Sequence, residues 1–487
     1  MSDHPASGAD VRIVWFRDDL RLSDNPALSE ACRDDGPVVA LYILDDVSPG
    51  IRPLGGARRW WLHHSLQALA IDLQAIGIPL LLRRGPAGKV LPEVVEAVGA
   101  RQVHWNRRYT AAGIAIDTAL RTDLKAQGVE VESHNGSLLI EPFAVTKGDG
   151  GWFKVFTPFW KAARERIGTP RSPLPVPKPR QAPALDVTGD RLVDWGLLPT
   201  KPDWSGGLAK TWTPGEAGAR ERLETFLDDG LARYKAQRDE PAAGAVSMMS
   251  PYLAFGEISP VTLWHAAAAA GGGRSDASVE KFLAELGWRE FSYHLLYHFP
   301  DLGQQNFQPR FDGFSWKGDP AALAAWQKGQ TGYPIVDAGM RQLWRTGWMH
   351  NRVRMVVASF LVKHLLIDWR AGEAWFWDTL VDADPANNAA SWQWVAGSGA
   401  DAAPYFRIFN PILQGEKFDT AGRYVRDHVP ELAGLPDKWL NKPWQAPSDV
   451  RRRADVRLGK TYPEPVVDHD AARQRALAAF QEIKDQA

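Results

Sequence analysis

The chain has 487 residues, 45% of them hydrophobic and 24% charged, with 22 tryptophans, one cysteine and a net charge of −1. This balance fits roughly two to three soluble domains, and the lone Cys32 excludes an internal disulfide framework and a cysteine-based zinc site. No apolar run is long enough to span a membrane, the start MSDHPASGAD is unlike a signal peptide, and near-zero charge means any nucleic acid must meet a local basic patch.

Residues 11–135 alternate short, often β-branched apolar runs with amphipathic segments. Strands are expected at 11–16, 38–44, 79–83, 102–105 and 129–134. Helices are expected in ARRWWLHHSLQALAIDLQAIG and KVLPEVVEAVGA. The alternation predicts an α/β domain, a doubly wound parallel five-stranded sheet spanning 1–140. No GxGxxG follows the first strand and no GxxxxGK[ST] occurs, so a standard dinucleotide or P-loop site is not expected. Residues 141–205 include TPRSPLPVPKPRQAPALD and read as an extended linker, with Arg171, Lys178 and Arg180 scattered along it. From residue 206 to 487 helical periodicity dominates, which predicts an all-α C-terminal domain ending in the amphipathic DHDAARQRALAAFQEIKDQA.

The densest stretch runs from 337 to 411. Met340, Leu343 and Trp344, then Val353, Val356, Val357, Phe360 and Leu361, recur at helical spacing. Asn351 and Met355 are four apart on one helix face, with Arg354 nearby. Asn388 and Trp392 repeat that spacing after the acidic turn holding Asp382 and Asp384. Polar groups set into such an apolar, Trp-rich core cost a few kcal/mol each unless partnered, and a polar cofactor would partner them.

The motifs WMHNRVRM, LLIDW, DADPANNAASWQW and DAAPYFRIFNP, with WFRDDLRLSDNPAL near the N-terminus, resemble the DNA photolyase/cryptochrome family, most closely a bacterial cyclobutane pyrimidine dimer photolyase of class I/III type. The resemblance implies FAD in the helical domain and light-driven repair of pyrimidine dimers in damaged DNA, without a metal, by a cytoplasmic monomer. It implies that the N-terminal domain carries an antenna. GGARRWWLHHSL favours methenyltetrahydrofolate over deazaflavin there, although Thr110 stands where the enterobacterial folate site has Glu.

By position, Tyr234 and the segment Val246, Ser247, Met248, Met249 and Ser250 would hold flavin phosphates, with Val246 where the family commonly has Thr. Arg354 would pair with Asp382. Asp382 and Asp384 would accept from the isoalloxazine and ribityl groups, and Asn388 would face N5. Glu285, Trp288, Asn351, Met355 and Trp394 would hold the flipped dimer, with Glu285, Asn351 and Asn388 catalytic. Arg238, Arg289, Arg352 and Gln414 would meet DNA. Trp392, Trp369 and Trp316 would form an electron wire, with Trp375 or Trp377 as a branch. Read without the resemblance, the same residues are a helix cap at Ser250, a Glu285–Arg289 surface pair, caps at Asp382 and Asp384, and core tryptophans. Rival functions are a cryptochrome-like light sensor, a (6-4) photolyase (which needs a His pair where this chain has His350 then Asn351) and a DASH-type, single-strand-preferring protein.

Overall fold

The computed structural model describes residues 11–271, 276–402 and 406–485. Strands β1 (Val11–Phe16), β2 (Val38–Leu44), β3 (Leu80–Arg84), β4 (Ala100–Asn106) and β5 (Glu130–His134) form one sheet in the order β3-β2-β1-β4-β5. Every pairing is parallel. All seven residues of β2 are buried, as expected of a parallel sheet covered on both faces. Helices α1 (Pro26–Ala31), α2 (Gly56–Ala75), α3 (Ala87–Val98) and α4 (Ala111–Ala126) supply that cover.

Side-chain alternation along the strands separates two cores. Ile13, Trp15, Val39 and Leu41 pack with Leu91 and Val94 of α3 and Leu120 and Leu124 of α4. Val14, Phe16, Val38 and Ala40 turn the other way, into a core with Trp61 and Leu66 of α2. That second core continues into the C-terminal half through Tyr252, Phe255 and Phe282. One sheet face is therefore shared with the helical half, which fixes the two halves against each other.

Residues 141–205 depart from the expected extended linker. They contain α5 (Phe156–Ile167), whose Phe159 and Ala163 are buried in a core with Phe291 and Leu295. The run after it is extended, but its arginines are structural. Arg171 pairs with Asp24, and Arg180 donates to the carbonyls of Cys32, Asp34 and Gly36 at 3.0–3.2 Å. Arg180 is thereby held against the fold, whereas Arg171 keeps 41% of its side-chain surface.

The helices that build the site are α6 (Ala277–His298), α7 (Pro334–Thr346), α8 (Asn351–Ser359), α9 (Trp369–Thr379), α10 (Pro385–Ala396) and α11 (Pro411–Phe418); α12 (His469–Asp485) closes the bundle. Their starts follow local chemistry. Asp276 caps α6, His350 caps α8 and Asp384 caps α10, where Pro385 occupies the first turn. No helix among the described residues is long and apolar enough to cross a membrane.

Candidate active site

A cavity of about 330 Å³ opens between α6, α8, α9 and α10 and the segment 247–254. It gathers most of the residues singled out in the sequence: Tyr234, Ser247, Met249, Ser250, Glu285, Trp288, Arg289, Asn351, Arg354, Met355, Asp382, Asp384, Asn388 and Trp392. The helical spacings therefore did put Asn351 beside Met355, and Asn388 beside Trp392, on the faces that meet here.

Arg354 donates to Asp382 Oδ2 at 2.7 Å and to the Met349 carbonyl at 2.7 Å. The Asp382 side chain is 2% exposed, and its Oδ1 is buried without a partner. An orphaned carboxylate oxygen on a cavity wall suits a ligand N–H or hydroxyl donor. Asp384 differs. Its Oδ1 accepts from the backbone N–H of Ala386 and Asn387 at 2.9 and 2.7 Å and from Asn387 Nδ2, and its Oδ2 accepts from the Tyr293 hydroxyl at 2.5 Å. Burial holds that phenol far above its ordinary pKa, so Tyr293 remains a donor. Asp382 is thus the freer acceptor of the two.

Glu285 is clamped by Arg238, and Lys281 stands 3.0 Å from the same oxygen. The Trp288 ring stacks on Phe156 with centroids 3.8 Å apart and planes 8° apart. One indole face is thus covered by α5, while Trp288 still lines the cavity. That helix is the feature the linker reading missed, and it supports a flat wall. Trp348 is a further unforeseen support, its indole N–H donating to Ser250 Oγ at 3.2 Å.

Several expected contacts lie elsewhere. Val246 and Met248 do not line the cavity and pack against the shared core instead. Trp394 points its indole N–H to the Asp401 carbonyl at 3.0 Å and forms no cavity wall. Gln414 also lies outside the lining. Arg289 is committed inward: it donates to the Ser137 carbonyl at 2.8 Å, stands 3.3 Å from Glu290 and lies over Tyr293. Arg352 pairs with Asp239 at 3.0 Å and lies over Phe418. Arg238, Arg289 and Arg352 are therefore neutralised inside the fold rather than displayed as a bare basic patch. His350 is 1% exposed and lowered to about 4 by burial, so it is a neutral helix cap outside the cavity. Residues 403–405 of the DAAPYFRIFNP motif lie outside the described residues.

Of the three wire tryptophans, Trp392 and Trp369 are buried and Trp316 is half-buried. Gly372 lets the Trp392 ring pack on α9: a Cβ there would lie 2.2 Å from that ring, and Trp369 stands three residues earlier on the same helix. Trp392 also meets Phe376 at 5.0 Å and the fully buried Trp326 at 6.2 Å, a ring the sequence reading did not include. Trp375 stacks on Trp344 at 6.1 Å. Among the described residues, one trio could by position hold a metal: His104, Glu132 and His134, on β4 and β5, none lining the cavity.

Two family models match the chain: the DNA photolyase model over residues 12–180 and the FAD binding domain of DNA photolyase over residues 282–482. A deoxyribodipyrimidine photo-lyase from Agrobacterium fabrum is 54% identical over 97% of this chain and 98% of its own length. The chain belongs to the DNA photolyase family. Cryptochrome-1 of Arabidopsis thaliana is 38% identical over 97% of the chain and 70% of that protein. A crystal structure of a bacterial class III photolyase from Agrobacterium tumefaciens superposes with a TM-score of 0.95 at 53% identity, covering 99% of this chain and all of that one. Within the family frame, the cavity lies at the meeting of α6 with the FAD-binding model's core helices, and the sheet is the N-terminal photolyase domain.

Proposed function

We infer that the chain is a deoxyribodipyrimidine photo-lyase of class III type, which uses blue light and reduced FAD to split cyclobutane pyrimidine dimers in DNA. The observation that carries the reading is one cavity that joins two kinds of wall. One wall holds the buried Arg354–Asp382 pair with its unpartnered Oδ1. The other presents Glu285, Trp288 and Met355.

FAD, when bound, supplies the photoexcited electron donor. The residues do the rest. Asp382 accepts from the ring system and Arg354 balances its charge. Ser247 and Ser250 offer hydroxyls toward the phosphates, with Tyr234 on the same wall. Asn388, on the cavity wall, would face the redox-active edge. Trp288, backed by Phe156, would give a flat apolar surface for a flipped pyrimidine dimer, and Glu285 would give the acceptor that orients it. Met355 and Asn351, which line the same cavity, would lie between dimer and cofactor. The reaction would be redox-neutral overall.

The antenna is proposed to be a methenyltetrahydrofolate. Thr110 is the N-cap of α4, which supports a folate mode other than the one that uses Glu at that position. The protein is proposed to act as a cytoplasmic monomer on damaged DNA, with Trp392, Trp369 and Trp316 recharging the flavin.

The test is one assay with chemically reduced protein, blue light and two oligonucleotides, one bearing a cyclobutane dimer and one a (6-4) product. Restoration of the first alone is expected. Repair of neither would favour a light sensor.

A further inference from the structure

The loop 51–56 of the N-terminal domain seats on the C-terminal end of α9. The Trp377 indole N–H donates to the Pro53 carbonyl at 2.9 Å, and the Gly56 N–H donates to Asp378 Oδ1 at 2.8 Å. A Cβ on Gly55 would lie 2.2 Å from the Trp377 carbonyl oxygen, so only glycine allows this approach. From the same loop Arg52 crosses the Trp377 ring, 4.1 Å from its centroid. It meets Glu373 with both terminal nitrogens, at 2.7 and 3.0 Å.

The Glu373 side chain is only 5% exposed, and its second role faces the cavity. Its Oε1 accepts from Asn388 Nδ2 at 2.8 Å, and its backbone carbonyl accepts from the same nitrogen at 3.1 Å. Both hydrogens of the Asn388 amide are thereby taken. A flipped amide would set Oδ1 against two acceptors, so the orientation is determined by the network. What Asn388 offers the cavity is its carbonyl oxygen.

We propose that Arg52, from the N-terminal domain, is a positioning residue for the flavin site: it neutralises Glu373, which in turn holds the Asn388 amide with Oδ1 inward. This rests on reading the cavity as an FAD site with Asn388 at flavin N5. The physical basis is charge balance. Glu373 without Arg52 is a buried carboxylate lacking its bidentate partner, one hydrogen bond from Asn388. Its uncompensated charge disfavours further negative charge in the cavity. The domain contact and the ease of full flavin reduction are then coupled through three residues.

The experiment is a redox titration of the FAD-loaded full chain against a reference dye, followed by absorbance. In Arg52→Ala the ratio of fully reduced to one-electron-reduced flavin at fixed potential falls about tenfold, equivalent to about 59 mV for a one-electron couple. Adding Glu373→Gln to that variant removes the stranded charge and restores most of the ratio. Asp378→Ala loosens the same junction without touching Glu373 and leaves the ratio unchanged. Arg52→Lys, which keeps the charge but not the paired contact, falls between wild type and Arg52→Ala and serves if the alanine variant does not fold. An unchanged ratio in Arg52→Ala or, where that does not fold, in Arg52→Lys, a matching fall in Asp378→Ala, or no restoration by Glu373→Gln each overturns the assignment while leaving the flavin reading intact. A purified wild-type chain that takes up no flavin overturns both.

Discussion

Glu285 and Asp382 are both carboxylates in one cavity, yet their surroundings give them different work. Glu285 stands between Arg238 and Lys281 with 26% of its side chain exposed, so it is ordered yet reachable by a ligand. Glu285→Ala removes one charge-assisted hydrogen bond, worth about 1.5–3 kcal/mol. Dimer repair should fall about 10- to 100-fold while the bound-flavin spectrum is unchanged, which a repair assay and an absorbance scan check together. Loss of flavin at unchanged repair per holoenzyme would assign Glu285 to structure. Asp382 is the reverse case. Asp382→Ala strands Arg354, and breaking such a pair costs about 3–5 kcal/mol when fully buried. Arg354 keeps 24% of its side-chain surface, which puts the expected loss near the bottom of that range, about 3 kcal/mol. The readouts are flavin retention on gel filtration and the denaturant midpoint, and both should drop.

At the scale of elements, α9 packs against the Trp392 ring with no room to spare at Gly372. Gly372→Ala would press a methyl group into the Trp392 indole. Overpacking of this kind costs about 1–3 kcal/mol, and it should also slow light-driven flavin reduction by displacing Trp392. Trp392→Phe separates the two roles: it should lose photoreduction by an external thiol but repair normally once the flavin is reduced chemically. Failed repair by that chemically reduced variant would mean that Trp392, which lines the cavity, also shapes the dimer pocket. The strands were legible in the sequence because their apolar runs are short, β-branched and bounded by turns; β3, β4 and β5 moved at their ends by no more than two residues. The inward faces of α8 and α10 were legible because Asn351/Met355 and Asn388/Trp392 keep helical spacing. Helix α5 was not, since FTPFWKAARERI lies beside a proline-rich run and its partner, α6, comes more than a hundred residues later. The direction of Arg289 was equally hidden: one helical position cannot say whether a guanidinium reaches a phosphate or the Ser137 carbonyl. Arg52 and Glu373 are 321 residues apart, and no local pattern joins them.

For the whole molecule, a buried acid in the shared core ties its two halves together. Glu257 accepts from the Trp61 indole at 3.1 Å, from Ser65 Oγ at 2.6 Å and from the Gly215 N–H at 2.7 Å. Burial outweighs these donors and pushes its pKa up to about 8, against about 4.3 in an unfolded chain. The folded state then holds a proton that the unfolded state has released. The resulting stability is fully present below about pH 4.3 and is lost as pH rises through about 8. Glu290, pushed up to about 7 by burial, acts in the same direction. Relative to Glu257→Gln, the wild type should therefore lose stability as pH rises from about 5 to about 8, read as the difference between the two thermal midpoints at each pH. An identical slope in the variant would place the titration elsewhere.

The extended run after α5 has a bearing on how the protein could be cut. It meets β3, an edge strand, where the Asp190 N–H donates to the Leu82 carbonyl at 2.8 Å; just before β3 the Arg180 N–H donates to the Ile76 carbonyl at 3.0 Å. Leu185 and Val187 lean onto the core beneath. An uncovered edge strand is a template for pairing with another chain. A fragment ending at residue 140 keeps all five strands but bares that edge, whereas one ending near 191 carries its own guard. The shorter fragment should aggregate on expression and the longer should yield more soluble protein, measured by the fraction surviving centrifugation. The boundary that strand counting suggests is thus some fifty residues short of the segment that guards this edge.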